Sequence, residues 1–491
     1  MRTTFGSLNI VNSGLFASRR ALDVTGHNIA NVNTEGYSRQ VLMQKASMPL
    51  WGDPKGVIGT GVDTYNILRI RNEYLDKKYW NQNRAVGEWQ IKQQNLENME
   101  SIFNEPTETG IRKVIDEFFI ALDELSKKSG DSTRRIAVVE NANTLAKSIN
   151  RNGNEIISSI RETNEEVKTK VDEINSLAYQ ISVLNNNIFN MELGDSQAND
   201  LRDQRNVLLD KLSKIIDIDV STRKDSNKNE YMSIKIGGIT LVDHTNYDEL
   251  AYVEEDVAGI TELGAGKMAQ VVWKGLESQK VSIRGGELKG LLDIRDGNGQ
   301  GLNYRGLVYY LDKLNEFARD FSSKINEVHR KGIDFKGEAG GDFFNVPDGD
   351  YSKINCTNFG VSGALLVDPD LIAASSDIGG ESNNDNLKEL IKLKDKADMF
   401  SSTTGTPDDF IKALLSSLAV DSQQAERMAI NSEILITDTD NRRISASGVL
   451  MDEEMGNMVK FSQAYNAAAR AITTLDAILD TTINRLGLVG R

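Results

Sequence analysis

Seven-residue repeats of apolar side chains run through both ends of this chain, and they leave few options for what those ends can become. Leu8, Leu15, Leu22 and Ile29 recur every seven residues, with Val11, Ser18, Thr25 and Val32 three positions further on. At the other end Met458, Tyr465, Ile472, Leu479 and Leu486 repeat in the same way, with companions Phe461, Ala468, Leu475 and Thr482, and Ile483 beside the last. Alternating steps of three and four keep one stripe of a helix turned toward a partner, so each end reads as a helix that shares a seam. Two amphipathic helices lying on a globular core are the plainer reading of the same repeat. The seams are narrow and rich in Ala, Ser and Thr, which favours helices packed closely against each other and against further copies of themselves.

Between the ends, proline usage decides how long the elements can be. Six prolines occur in 491 residues, at 49, 54, 106, 347, 369 and 407, and none lies within 107–346 or 408–491. A proline costs a helix interior about 3 kcal/mol, so these stretches are open to long helices. Ile160, Val167, Ile174, Ile181 and Ile188, with Leu177 and Leu184, predict one; a shorter amphipathic helix covers 111–125. The segment 199–215 predicts another, with Leu201, Leu208 and Leu212 on one face. Near 216 the period falls to two, Ile216, Ile218 and Val220 alternating with Asp217, Asp219 and Ser221, and a second strand region at 232–243 is broken by Gly237 and Gly238. Helical spacing returns over 302–331, 384–400 and 408–432, while the Gly- and Pro-punctuated 36–75 reads as an extended or hairpin excursion.

The expected fold class is therefore mainly α with a β-rich insert. Paired terminal coiled-coil helices are expected from 1–46 with 446–491, and an extended or β-hairpin connector from 47–84. A long-helix bundle with irregular loops is expected from 85–215 with 286–445, and an outer β domain over 216–285, at the middle of the chain.

The chain carries 57 Lys and Arg against 72 Asp and Glu, a formal charge of −15. That sign opposes both a phosphate backbone and an anionic membrane surface, and no window approaches 18 consecutive apolar residues. Neither nucleic acid nor membrane insertion is expected. The acidity is uneven: residues 1–46 carry +3, 446–491 carry −1, and the rest carries −17. Ends close to neutrality tolerate close packing of identical copies. The first residues lack the apolar run and cleavage site of a secretory signal.

Residues with catalytic or metal-binding chemistry are few and scattered. Cys356 is the single cysteine, which excludes an internal disulfide and any multi-cysteine metal site. His27, His244 and His329 stand apart from one another and read as packing or surface residues. The glycine runs at 296–301 and 337–344 match no phosphate-binding pattern and read as turns. Asp452, Glu453 and Glu454 suit the first turn of a helix, where they meet the positive end of its dipole. No catalytic residue, cofactor or metal site is expected, and the chain reads as something other than an enzyme.

Two stretches resemble a known family. The run at 13–40, SGLFASRRALDVTGHNIANVNTEGYSRQ, resembles the N-terminal signature of the flagellar rod, hook and hook-associated axial proteins. Its motif residues are Asn28, Asn31 and Asn33, and the ending Gly36, Tyr37, Ser38, Arg39 and Gln40 resembles the hook–filament junction members in particular. The run at 447–484 resembles the closing helix of the same family, and 199–213 and 283–296 also look like its segments. Glu35, where the family often has Pro, and Leu450 with Met451 depart from its pattern. A distal rod or hook subunit is the alternative within the family. The least similar stretch, 216–282, leaves room for a grafted adhesin or hydrolase.

The resemblance implies a structural subunit that assembles into a ring or short tube at the junction of hook and filament. The assembly seam it implies comprises Leu8, Val11, Leu15, Leu22, Ile29 and Val32 with Met458, Phe461, Tyr465, Ala468, Ile472, Leu475, Leu479, Ile483 and Leu486. Implied partners are further copies of the chain, hook protein below, and a second junction protein and flagellin above. A cytoplasmic export chaperone on the C-terminal helix is also implied, as is secretion to the flagellum without a cleaved signal and without any cofactor.

Overall fold

The computed structural model describes residues 6–53, 56–103, 110–194, 196–225, 230–257, 260–377 and 383–485. The chain opens with helix α1 (Gly6–Ala30), followed by strands β1 (Gln40–Ala46), β2 (Leu50–Asp53), β3 (Gly56–Ile58) and β4 (Val62–Arg69). Helices α2 (Glu73–Phe103), α3 (Ile111–Lys127), α4 (Ser132–Glu192) and α5 (Asn199–Ile215) come next. Then come β5 (Asp219–Lys224), β6 (Glu230–Ile236), β7 (Ile239–Asp243), β8 (Asn246–Tyr247), β9 (Leu250–Glu255), β10 (Met268–Trp273) and β11 (Leu276–Lys280). Helices complete the chain: α6 (Glu287–Asp296), α7 (Leu307–His329), the short α8 (Gly363–Val367), α9 (Asp385–Lys392), α10 (Pro407–Ser447) and α11 (Met451–Asp480).

Two compact units divide these elements. The first takes Met1–Arg84, Ile174–Glu249 and Glu433–Arg491; the second takes Ala85–Glu173 and Leu250–Ser432. In the first unit α1 and α11 pack along each other, bringing the two heptad-bearing ends of the chain together. Strand β1 pairs antiparallel with β4, and β5, β6, β7 and β8 form an antiparallel meander. Gly237 and Gly238 join β6 to β7 with φ of 57° and 93°, the positive φ at both central residues that a tight hairpin with right-handed strand twist requires.

The second unit is built on aromatic packing. Phe118 of α3 meets Phe321 of α7 and both Phe343 and Phe344 edge-on or tilted, with centroids 5.8 to 6.2 Å apart, the geometry ring quadrupoles favour. Leu311, Leu314 and Phe317 of α7 and Leu387 of α9 extend this core. Two arginines are buried in it and satisfied by fixed acceptors. Arg135 donates to the carbonyls of Ser129 and Ile372, and Arg295 to Asn164, the Ala269 carbonyl and Asp296.

Element bounds differ from the sequence reading in four places. The expected connector over 47–84 is extended only to Arg69, since α2 starts at Glu73 and residues 62–86 hold neither Gly nor Pro to stop it. Residues 40–46, expected within the terminal helical pair, form β1. The strands expected as one outer domain over 216–285 fall into two sheets, β5–β8 in the first unit and β11-β10-β9 in the second. Finally, α5 runs to Ile215 and Ile216 is its C-cap, so β5 begins at Asp219 although alternation starts at Ile216.

Candidate functional site

The motif residues converge on one buried polar joint in the first unit. Asn28, in the last turn of α1, is 1% exposed and makes every bond its amide can make there. Its Nδ2 donates to the Gln40 carbonyl at 2.9 Å and to Glu454 Oε2 at 3.1 Å, and its Oδ1 accepts from Gln40 N at 3.0 Å and from the Tyr37 hydroxyl at 2.8 Å. An amide is the side chain that offers donors and acceptors side by side, which explains the residue type. Asn31 caps α1 by donating to the His27 carbonyl, and Thr34 donates to Asn31 Oδ1. Asn33 is exposed. Gly36 sits at φ 74° with its Cα against Val207, so a Cβ there would collide with the valine.

Past Gly36 the backbone turns onto α5. Asp203, 4% exposed, accepts from both Ser38 N and Ser38 Oγ at 2.8 Å and from Arg69 Nη1 at 2.7 Å. Burial pulls the Arg69 guanidinium below its usual range, and the charge of Asp203 works against that fall. Arg71 forks onto Asp76 at 2.8 and 2.9 Å. Arg443, near the end of α10, bridges Asp210 at 2.8 Å and Asp440 at 3.0 Å, and lies over the Tyr79 ring. Trp80 Nε1 donates to the other oxygen of Asp210 at 2.7 Å. Each buried carboxylate of this group faces a guanidinium, as charges removed from water require.

Arg39 ties the motif to the C-terminal helix. Its backbone N donates to the Ser447 carbonyl at 2.8 Å, at the α10–α11 turn. Its Nε donates to Glu454 Oε1 at 2.8 Å, and its Nη1 lies 2.9 Å from Glu453 Oε2. Glu454 is 2% exposed, a first-turn acid turned inward. Gln40 Nε2 donates to Asp200 Oδ1 at 2.7 Å, fastening the same segment to the start of α5. Burial, followed by the charges of Asp200, Asp203 and Glu454, pushes the Tyr37 phenol far above its ordinary range, so it stays protonated.

The helices leaving this joint cover only part of their apolar surface. The fully buried residues of α1 are Ala17, Ala21, Val24, Thr25 and Asn28, while Leu8, Val11, Leu15, Leu22 and Ile29, together with Val32 just beyond the helix, are half-buried. On α11, Phe461, Tyr465, Ala468, Ile472, Leu475 and Leu479 are half-buried. Met458 is exposed on α11, and Ile483, in the π-helical turn that follows it, is 66% exposed. Leu486 lies outside the described residues. Met455, Val459 and Ile478 are also exposed, between 55% and 63%.

Sequence reasoning named the motif but missed its partners: Asp200, Asp203, Arg69, Arg71, Asp76, Asp210, Arg443 and Glu454. The available signal was the acid-rich first turn of α11, which served equally well as a dipole contact. Of the expected α5 face, Leu212 is buried while Leu201 and Leu208 are half-buried, and Asp203, Asn206 and Leu209 complete the inward side. Among the described residues no cluster of three or more His, Cys, Asp or Glu could hold a metal, and no helix is long and apolar enough to cross a membrane.

Flagellar proteins match this chain along most of its length. The helical-domain model of the flagellar hook-associated protein FlgK matches residues 96–344. The C-terminal model of the flagellar basal body rod FlgEFG proteins matches 441–486, and that of the flagella basal body rod protein matches 8–37. Flagellar hook-associated protein 1 of Bacillus subtilis is 31% identical over 522 residues, covering the whole of both chains. That of Escherichia coli is 23% identical over 563 residues, covering 97% of this chain and 99% of its own. In fold, the flagellar hook junction protein FlgK from Burkholderia pseudomallei is similar with a TM-score of 0.62 at 15% identity, over 74% of this chain and all of that one. The chain belongs to the flagellar hook-associated protein 1 family.

Proposed function

We propose that the chain is a structural subunit of the flagellar hook–filament junction, assembling with copies of itself through the α1–α11 pair. The observation that carries this is the half-covered apolar stripe on both helices, which the chain's own packing leaves available. A Leu or Ile left up to about a third exposed forgoes at most about a third of the ~1.5–3 kcal/mol that full burial contributes, and a neighbour that completes the cover gains it. The polar joint around Asn28, Asp203 and Glu454 sets the direction in which the pair leaves the unit. The chain is a structural protein and not an enzyme.

In this reading hook protein lies below the ring or tube, and a second junction protein and flagellin lie above. The exposed apolar residues of α11 are held by a cytoplasmic chaperone until export, which uses an uncleaved terminus, and the chain then resides in the flagellum outside the cell. The match of the 96–344 stretch to the hook-associated helical domain favours this over a distal rod or hook subunit.

Ile472→Asp tests the seam. It places a charge on the half-buried stripe of α11, a penalty of several kcal/mol if a neighbouring copy closes over it. The expected phenotype is soluble folded protein, hooks present, and flagellin lost to the medium instead of filaments. Normal filaments on cells carrying Ile472→Asp would rule out the seam.

A further inference from the structure

Charge is spread unevenly along α4, and it stops at one point. Residues 155–173 carry nine charged side chains, whereas 174–191 carry none, the longest uncharged run in the chain. The charged stretch belongs to the second unit and the uncharged one to the first. The uncharged stretch is not hidden. Tyr179, Val183 and Met191 are 54%, 39% and 61% exposed, and the other outward positions hold Ser, Gln and Asn. The Tyr179 ring meets Tyr247 of β8 edge-on at 5.6 Å, so two phenols stand side by side on this face.

The fold of the single chain gives no reason for such a face. Packing does not choose the residue at an exposed helix position, and Asn186, Asn187 and Asn190 form helix less readily than the Glu and Lys used earlier in α4. Loss of charge with Tyr and Met left outside is the composition found at the centre of a protein–protein contact. Charge also selects the partner. A basic partner would be held by the surplus of acids elsewhere on the chain, whereas copies that each carry a formal charge of −15 repel one another. An uncharged face is where such copies can meet. The next longest uncharged run, residues 3–18, lies largely in α1, and Gly194, Ser196 and Gln197 just past α4 line one cavity with Arg20, Asp23 and Val24 of α1. The face thus continues toward the helix that carries the seam.

We propose that the outward face of α4 over 174–191, with Tyr247, is a second contact between copies of this chain, outside the α1–α11 pair. It rests on the assembly reading above, and its size sets how it acts. Five turns of helix make a face about 27 Å long and about 10 Å wide, on the order of 270 Å², against the roughly 800 Å² that one side of a stable interface contributes. The face therefore does not dimerise the free chain; it adds to contacts the seam has already made.

A photoreactive benzoylphenylalanine in place of Val183 tests this in the full-length chain, with the same residue in place of Met458 reporting on the seam. In illuminated flagella, crosslinked peptides identified by mass spectrometry should join position 183 to a second copy of this chain, and the dilute free chain should give about tenfold less product or lower. Tyr179→Glu combined with Val183→Glu should leave the helix content of the free chain unchanged and cut the amount of this chain retained in sheared flagella by about tenfold. Crosslinks from 183 to other flagellar proteins alone, equal product from the free chain, or full retention of the double variant overturns the proposal. A second copy captured at 458 but not at 183 removes this contact and leaves the assembly reading standing; none captured at either position removes both.

Discussion

Glu454→Gln isolates the contribution of the bond that joins the two ends of the chain. Glu454 accepts from Arg39 Nε at 2.8 Å and from Asn28 Nδ2 at 3.1 Å while 2% exposed, and the glutamine retains one acceptor oxygen but brings an NH2 into a site lined by donors. A charge-assisted bond contributes about 1.5–3 kcal/mol, and removing one partner of a buried pair costs about 3–5. Arg39 keeps Glu453, whose side chain is 53% exposed and whose contribution is correspondingly screened, so a loss of about 2 kcal/mol is the expectation. Local opening that releases the first turns of α11 then becomes about thirtyfold more populated, at tenfold per 1.4 kcal/mol. Hydrogen exchange of amides near 454–460 reads that factor directly. Glu453→Gln serves as the control and should change exchange by less than about threefold, while Arg39→Ala combined with Glu454→Gln should be less damaging than the sum of the two alone. Equal effects of the two glutamine substitutions, or an additive double variant, would refute the view that Glu454 anchors the helix.

Three further outcomes are expected. Gly153→Ala in α4 should destabilise the second unit by about 1–3 kcal/mol although alanine ordinarily favours a helix, because the new Cβ would lie 2.5 Å from Cys356 Sγ and 2.9 Å from its Cβ; Cys356→Ala should recover part of the loss in a denaturant titration. Burial pushes the Cys356 thiol up to about 12, so alkylation at pH 8 should proceed at the rate of unfolding, and rapid labelling of native protein would contradict its placement. His329 is fully buried, its Nδ1 donating to the Gly341 carbonyl and its Nε2 accepting from Ala373 N, and burial holds its pKa below the ordinary value. Its stabilising effect is therefore complete above about pH 6.5 and is lost as pH falls, so denaturant midpoints should drop between pH 7 and pH 5, and less so in His329→Gln.

The terminal helices and the break between β6 and β7 were legible because their signals are local: a repeat of seven, and two glycines interrupting a strand region. The first turn of α11 was legible only by half. Three consecutive acids announce a helix start, but nothing in one sequence says that Glu454 turns inward to Arg39 while Glu453 stays in water. In α5 Leu212 of the expected face is buried, but the polar half of the inward side went unread, because a face of Asp203 and Asn206 looks solvated until Ser38, Arg69 and Arg71 are placed against it. Buried polar groups make sense in pairs, and the pairing partners here come from distant parts of the chain. The split of β5–β11 into two sheets escaped notice for a related reason: alternation marks a strand and says nothing of which neighbour it joins.

The bond from Arg39 to Glu454 spans 415 residues, and this has a kinetic meaning. Closing so long a loop in an otherwise unstructured chain costs about 5 kcal/mol of entropy, more than the bond returns, so it forms after the intervening elements have shortened the path. A chain delivered from its N-terminus would hold Asn28 and Arg39 without their carboxylate until its last forty residues arrive. The joint is thus a completion signal: a chain truncated before Glu454 would hold its motif on α5 alone, through Asp200 and Asp203, with Arg39 and Asn28 lacking the carboxylate that ties them to α11.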